Sequence, residues 1–320
     1  MTHNLPAEFA RIACLRGLAA PGALGLLDDA AIFSPPPGRE LVVSADTLVE
    51  GVHFLAGDPV ATLGRKLLRV NLSDMAAMGA TPLHYLMTVS VPPATGTGWF
   101  EAFAAGLALD QAAFGVTLLG GDTTSTPGPI TLSATVIGHV APGQALRRSG
   151  AQAGDGLWVT GTIGDGALGL LALRGEVADP DAWLADRYRL PQPRLGLALA
   201  GIVSAAMDVS DGLVQDAGHL ACAAGLGVEI EASLVPLSDA ARGVLDTRSG
   251  SRAICLTGGD DYELLLAAPG RQAHRLQAEC ARACLTITRI GTFVPGPASV
   301  RIIDEAGSDM QLSGLGWSHF

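Results

Sequence analysis

Asp28, Asp29, Asp46, Asp74, Asp122, Asp208, Asp211, Asp260 and Asp261 all stand at or near the ends of apolar segments. An apolar segment anchors the loop beside it, so a carboxylate on that loop is an oxygen ligand held in place. Several carboxylates that converge repel one another unless a cation lies among them. Ligand sets made only of oxygen favour Mg²⁺, Ca²⁺ or Mn²⁺ over Zn²⁺. A single aspartate in such a place more commonly caps a helix or closes a turn. The recurrence of one context is what points to metal chemistry.

Glycine accompanies the acids. Gly120-Gly121-Asp122-Thr123-Thr124 and Gly258-Gly259-Asp260-Asp261 pair backbone that can approach a phosphate closely with a carboxylate for the bridging metal. Ordinary tight turns have the same composition. Gly161 to Gly166 (GTIGDG) follows a strand pattern and opens a helical one, where free N–H groups suit an anion. It lacks the Lys-Ser/Thr of a P-loop, and close packing of strand on helix is the commoner reason for such glycines. Arg147-Arg148 offers a guanidinium clamp for a phosphate, or a solvated basic pair. His53 offers a hydrogen bond to a substrate, although a lone histidine more often serves structure. No Ser/His/Asp order, H-E-x-x-H or zinc spacing occurs.

The elements that must position these residues alternate irregularly. Helices are expected over 5–18, 58–79, 99–114 (ended by Gly115), 193–205 and 271–283, and another runs through Ala224 after the extended segment AAMDVSDGL with its acidic turn. Strands are expected over 41–47, 83–91, 116–124, 130–140, 157–161, 227–234 and 285–293, and ICLTGGDDYELLLAA reads as two strands joined by an acidic turn. A stretch rich in glycine and polar residues near 141–156 divides the chain into domains 1–141 and 142–320. Some successive strands lie close enough for antiparallel pairing, so the expected class is α+β, with mixed or antiparallel sheets flanked by helices, more than a Rossmann fold.

Composition narrows the function. A net charge of −11 opposes nucleic-acid binding, which needs a basic surface. No run of about 20 apolar residues occurs, and the N-terminus has no secretory pattern, so a cytoplasmic protein with no membrane partner is expected. The five cysteines (Cys14, Cys222, Cys255, Cys280 and Cys284) form no C-x-x-C and are expected to be packing residues in a reducing compartment.

GLLDDAAIF, VVSADTLVEGVHF, NLSDMAAMGATP, LLGGDTTS, LRRSGAQAGDGLWVTGTIGD, MDVSDGLVQDAGHL, LTGGDDYEL and the terminal GWSHF follow one another from about residue 24 onward. In this order they resemble the thiamine-monophosphate kinase family, within the superfamily of aminoimidazole ribonucleotide synthetase. The resemblance implies a two-domain α+β fold and transfer of the γ-phosphate of ATP to thiamine monophosphate, giving thiamine diphosphate. It implies several Mg²⁺ ions held by Asp28, Asp29, Ser44, Ala45 (through its carbonyl), Asp46, Asp74 and Asp122, with Asp208 and Asp211 of the second domain. It implies ATP contacts at Gly121, Asp122, Arg148 and Ser210, and thiamine phosphate contacts at His53, Asp260 and Trp317. An aromatic face such as that of Trp317 suits a cationic thiazolium. The resemblance also implies a homodimer that pairs through its N-terminal domains.

Three positions depart from the family pattern. Ala45 stands where Thr is frequent, Asp260 where Glu is common, and GLLDD replaces G-I-G-D-D. The acceptor is already an anionic phosphate oxygen, so direct in-line transfer with no catalytic base and no phosphoenzyme is expected. The alternatives are a superfamily member with another acceptor, or a metabolite-binding relative without catalysis. The retained carboxylates speak against the second.

Overall fold

Apolar alternation with a period of two builds the strands, and it is kept most strictly in the N-terminal half. The structure, a computed structural model, describes residues 7–312 and 314–318. It divides into two compact units. One comprises the described residues up to Met75 together with Ala80–Gly143; the other comprises Ala76–Gly79 and the described residues from Gln144 onward.

The first unit contains α1 (Ala7–Leu15), β1 (Glu40–Val49), most of α2 (Val60–Ala77), β2 (Thr81–Val91), α3 (Thr97–Phe114), β3 (Thr117–Ser125) and β4 (Thr131–Val140). Its sheet has the order β1-β4-β2-β3. β4 is antiparallel to both β1 and β2, whereas β2 and β3 run parallel. Tyr85, Met87 and Val89 on β2, and Leu132, Ala134 and Val136 on β4, are buried on one face. The alternate residues face outward, and there Leu41 is 44% exposed, Val43 60% and Leu86 39%.

The two long helices cross at small residues. A Cβ at Gly106 of α3 would stand 2.0 Å from the Ala61 carbonyl oxygen of α2. Beside this crossing the buried carboxylate of Asp110 accepts from Arg65 at 3.0 Å and from Arg69 at 2.6 Å. A buried acid paired this way is costly to expose from one side only, so the pair fixes how the helices register.

The second unit contains β5 (Gly156–Thr160), α4 (Asp165–Leu173), α5 (Trp183–Arg189), β6 (Ala205–Asp208), α6 (Leu213–Ala224), β7 (Gly227–Glu231), α7 (Asp239–Thr247), α8 (Ser251–Thr257), β8 (Leu264–Ala268), α9 (Ala273–Arg282), β9 (Ile287–Val294) and β10 (Ser299–Ile303). Its sheet has the order β10-β7-β9-β5-β8-β6. Only β10 and β7 pair in parallel. Both faces are covered. Leu157, Val159, Leu265 and Met207 enter one core with α6, while Trp158, Leu264, Leu266 and Ala206 enter another with α9. Strands buried on both faces read as continuous apolar runs, as β5 and β8 do.

Two expected elements are corrected. Residues 193–205 form no helix. Pro193, Leu197 and Leu199 are buried while Gln192, Gly196, Ala198 and Ala200 are exposed. That alternation belongs to extended chain packing against the α9 core. ICLT, expected as a strand, lies in the short helix α8. Four residues are too few to show a period. The cysteines also differ from expectation, since only Cys255 and Cys280 are buried, while Cys222 and Cys284 are exposed. No helix among the described residues is long and apolar enough to cross a membrane.

The helix crossing generates a test. Gly106→Ala meets backbone that cannot yield, and should cost about 2–3 kcal/mol, lowering Tm by roughly 5–10 °C in a calorimetric scan. Gly98→Ala on the same helix meets nothing within 4 Å and should leave Tm unchanged or raise it.

Candidate functional site

In the first unit the expected metal residues fall into two groups. α2 lies against β1, and its side chains reach the strand in succession. Asn71 Oδ1 accepts the backbone N–H of Asp46 at 3.0 Å. Asp74 accepts the hydroxyl of Ser44. Ser44, Asp46 and Asp74 therefore form one group on the helix side of the sheet.

Asp122 belongs to the other face. It pairs with Thr88, Thr88 with Ser133, and Ser133 with Thr47. The row containing Asp46 runs through Ala134, Met87 and Gly121. Side chains of neighbouring rows point to opposite faces. Asp46 and Asp122 also stand on the two edge strands, three strand spacings or roughly 14 Å apart. One ion cannot bridge them within one chain. Asp122 instead lines a cleft of about 670 Å³ with Asp28, Asp29, Gly121 and Thr135. Ala45 is exposed opposite Thr135.

His53 sits in the turn after β1. Its Nδ1 accepts the Val49 N–H at 3.0 Å, and its carbonyl accepts from Lys66 Nζ at 2.8 Å.

In the second unit Asp208 ends β6 and is buried. The loop that follows carries Ser210 and Asp211 into α6. The N–H groups of Ser210, Asp211 and Gly212 all donate to one oxygen of Asp216, at 3.0, 3.1 and 3.2 Å. Burial raises the Asp216 carboxyl to about 7, helped by the negative charges of Asp208 and Asp211 and opposed by its hydrogen bonds to the Asp211 and Gly212 N–H groups. Carboxylates this crowded would be relieved by a cation. Oxygen or nitrogen atoms of Asp211, Asp216 and His219 come within 4.8 Å of one another. Asp216 and His219 are absent from the sequence-based candidates, although their i, i+3 spacing on a helix was the available signal.

Other predicted residues gather at this loop. Trp317 donates its backbone N–H to the Asp211 carbonyl at 2.9 Å. Gln215 Nε2 holds both the Asp211 carboxylate at 3.0 Å and the Trp317 carbonyl at 2.7 Å. The indole itself is 51% exposed. Asp260 donates its N–H to the Ser210 carbonyl at 2.9 Å and adopts φ of 70°. The approach is possible because residue 259 is glycine, where a Cβ would stand 2.2 Å from the Ser210 oxygen. Arg148 is exposed, and the Arg147 carbonyl before it accepts from Ala206 of β6 at 2.9 Å. The last two residues of the GWSHF motif lie outside the described residues.

The loop Gly161–Gly166 is not an open anion cradle. The N–H groups of Gly164 and Gly166 donate to the buried Asp261 at 2.7 and 3.0 Å. Burial pushes the Asp261 carboxyl well above the usual carboxylate range despite these two bonds. Of the paired acids, Asp261 thus holds structure while Asp260 remains partly exposed.

The Asp216 cap generates a second test. Asp216→Ala strands three loop donors and should lower urea stability by about 2–4 kcal/mol. Asp216→Asn keeps an acceptor and should lose less than half of that.

The chain matches two family models, "AIR synthase related protein, N-terminal domain" over residues 27–140 and the corresponding C-terminal domain over residues 152–304. It is 44% identical to the thiamine-monophosphate kinase of Caulobacter vibrioides, over 98% of this chain and 91% of that protein. The crystal structure of thiamine-monophosphate kinase from Stenotrophomonas maltophilia superposes with a TM-score of 0.83 at 42% identity, covering 92% of this chain and 96% of that one. The complex of AaThiL with AMPPCP and TMP superposes with a TM-score of 0.78 at 29% identity, covering 93% and 97%. The chain belongs to the AIR synthase-related family and, within it, to the thiamine-monophosphate kinases.

Proposed function

We propose that this chain transfers the γ-phosphate of ATP to the phosphate of thiamine monophosphate, yielding thiamine diphosphate and ADP. The observation that carries the reading is the all-oxygen donor set kept in place by the fold: Ser44, Asp46 and Asp74 on one side of a sheet, Asp28, Asp29 and Asp122 in a cleft on the other. Such donors fit Mg²⁺. The raised carboxyl of Asp216, crowded by Asp208 and Asp211, marks a further place where a cation relieves charge. The binding of an ATP analogue and TMP by AaThiL supports the choice of substrates.

The chemistry needs little from a base. The attacking group is a phosphate oxygen already anionic, and the difficulty is the meeting of two polyanions. Bound Mg²⁺ supplies neutralisation of the phosphates and of the charge on departing ADP. The chain's own residues orient. Gly121, Asp122, Arg148 and Ser210 take the nucleotide; His53, Asp260 and Trp317 take the acceptor. Asp260 is one methylene shorter than the Glu common in the family.

The reading includes a homodimer in the cytoplasm. The outward face of the β1-β4-β2-β3 sheet exposes Leu41, Val43 and Leu86, and a second copy set against it buries them.

Purified protein with ATP, MgCl₂ and thiamine monophosphate should form thiamine diphosphate, followed by chromatography. EDTA or replacement of the acceptor by free thiamine should abolish it. Asp74→Asn and Asp122→Asn should each lower turnover by at least ~10²-fold. Near-normal turnover in both variants would sink the metal assignment. ATP binding without product would move the reading to another acceptor.

A further inference from the structure

Lys66 is the only lysine in the chain; every other basic side chain apart from histidine is an arginine. It is also 2% exposed. A buried ammonium is costly unless it is well bonded, and a composition that uses arginine everywhere else has kept the compact point charge here. Its Nζ donates to the carbonyl oxygen of His53 at 2.8 Å. The turn it grips is closed by His53 N–H to the Val49 carbonyl at 2.9 Å and by Gly51 N–H to the Phe54 carbonyl at 2.8 Å, with Phe54 buried. Within it, the Val49 N–H donates to His53 Nδ1 at 3.0 Å. An imidazole nitrogen that accepts carries no proton, so the neutral ring has its proton on Nε2.

Lys66 is the first of three polar side chains through which α2 holds β1 and its turn. Asn71 holds Asp46, and Asp74 holds Ser44. The same helix therefore sets both the metal-side carboxylates and the imidazole.

We propose that Lys66 is a positioning residue: its ammonium pins the turn carrying His53, and so fixes the imidazole tautomer that offers an Nε2–H donor to the acceptor phosphate. The role in acceptor binding rests on the function proposed above; the role in fixing the tautomer does not.

The test is a double-mutant cycle read beside a spectroscopic signature. Lys66→Met should raise KM for thiamine monophosphate by at least ~10-fold, and leave KM for ATP within about twofold, an ordinary surface-mutation change. His53→Ala should raise the same constant, and Lys66→Met in the His53→Ala background should add almost nothing further. In ¹⁵N spectra of histidine side chains, the His53 signals, assigned by their loss in His53→Ala, should show an accepting Nδ1 and a protonated Nε2. In Lys66→Met they should move toward tautomer averaging. Should Lys66→Met fail to fold, Lys66→Arg replaces it in the same experiments, with the same pattern expected at smaller size. Additive losses, an equal rise in KM for ATP, or an unchanged His53 tautomer would overturn the proposal. If the wild-type protein forms no thiamine diphosphate, the proposed function falls, and the imidazole signature alone decides the role of Lys66.

Discussion

Burial and mutual repulsion of the acids crowded at the end of β6 are the constraint around which the loop entering α6 is organised. They raise Asp216 to about 7. The fold meets it with donors, few of which are cations. Three successive backbone N–H groups converge on Asp216, and two glycine N–H groups on Asp261. Neutral donors fix where these carboxyl groups sit. Elsewhere a buried acid is met by guanidinium groups, as with Arg187 and Arg194 on Glu263.

Much of the site geometry follows from that choice. Backbone donors must be brought to the acid by the chain itself, so the loops cross at close range. Asp260 donates to the Ser210 carbonyl, Trp317 donates to that of Asp211, and Gln215 ties the two ends together. A loop held at so many points is preorganised, and preorganisation of this kind is where positioning catalysis gains its advantage.

The sequence was legible where one physical signal ruled. The long helix α2, the left-handed stop of α3 at Gly115 and the alternating strands β2 and β4 follow from periodicity and glycine chemistry. The clustering of aspartates at element ends was equally plain. What was hidden depended on tertiary packing. Residues 193–205 are apolar enough for a helix, but their burial alternates. ICLT is too short to choose between helix and strand. No local pattern tells that Asp46 and Asp122 lie on opposite faces, since this follows from strand order. Nor does the GTIGDG loop show by itself that Asp261 occupies its N–H groups; the partner lies 95 residues away.

The singular, enclosed lysine also has a consequence for how this molecule can be altered after synthesis. Acylation of lysine needs an accessible side-chain amine. Here the surface presents arginines, which such reagents leave charged, and the one ε-amine is 2% exposed and engaged. Its exposed cationic charge is therefore insulated from acylation, and a reagent that does reach Lys66 reports a local opening of α2 from the turn it grips.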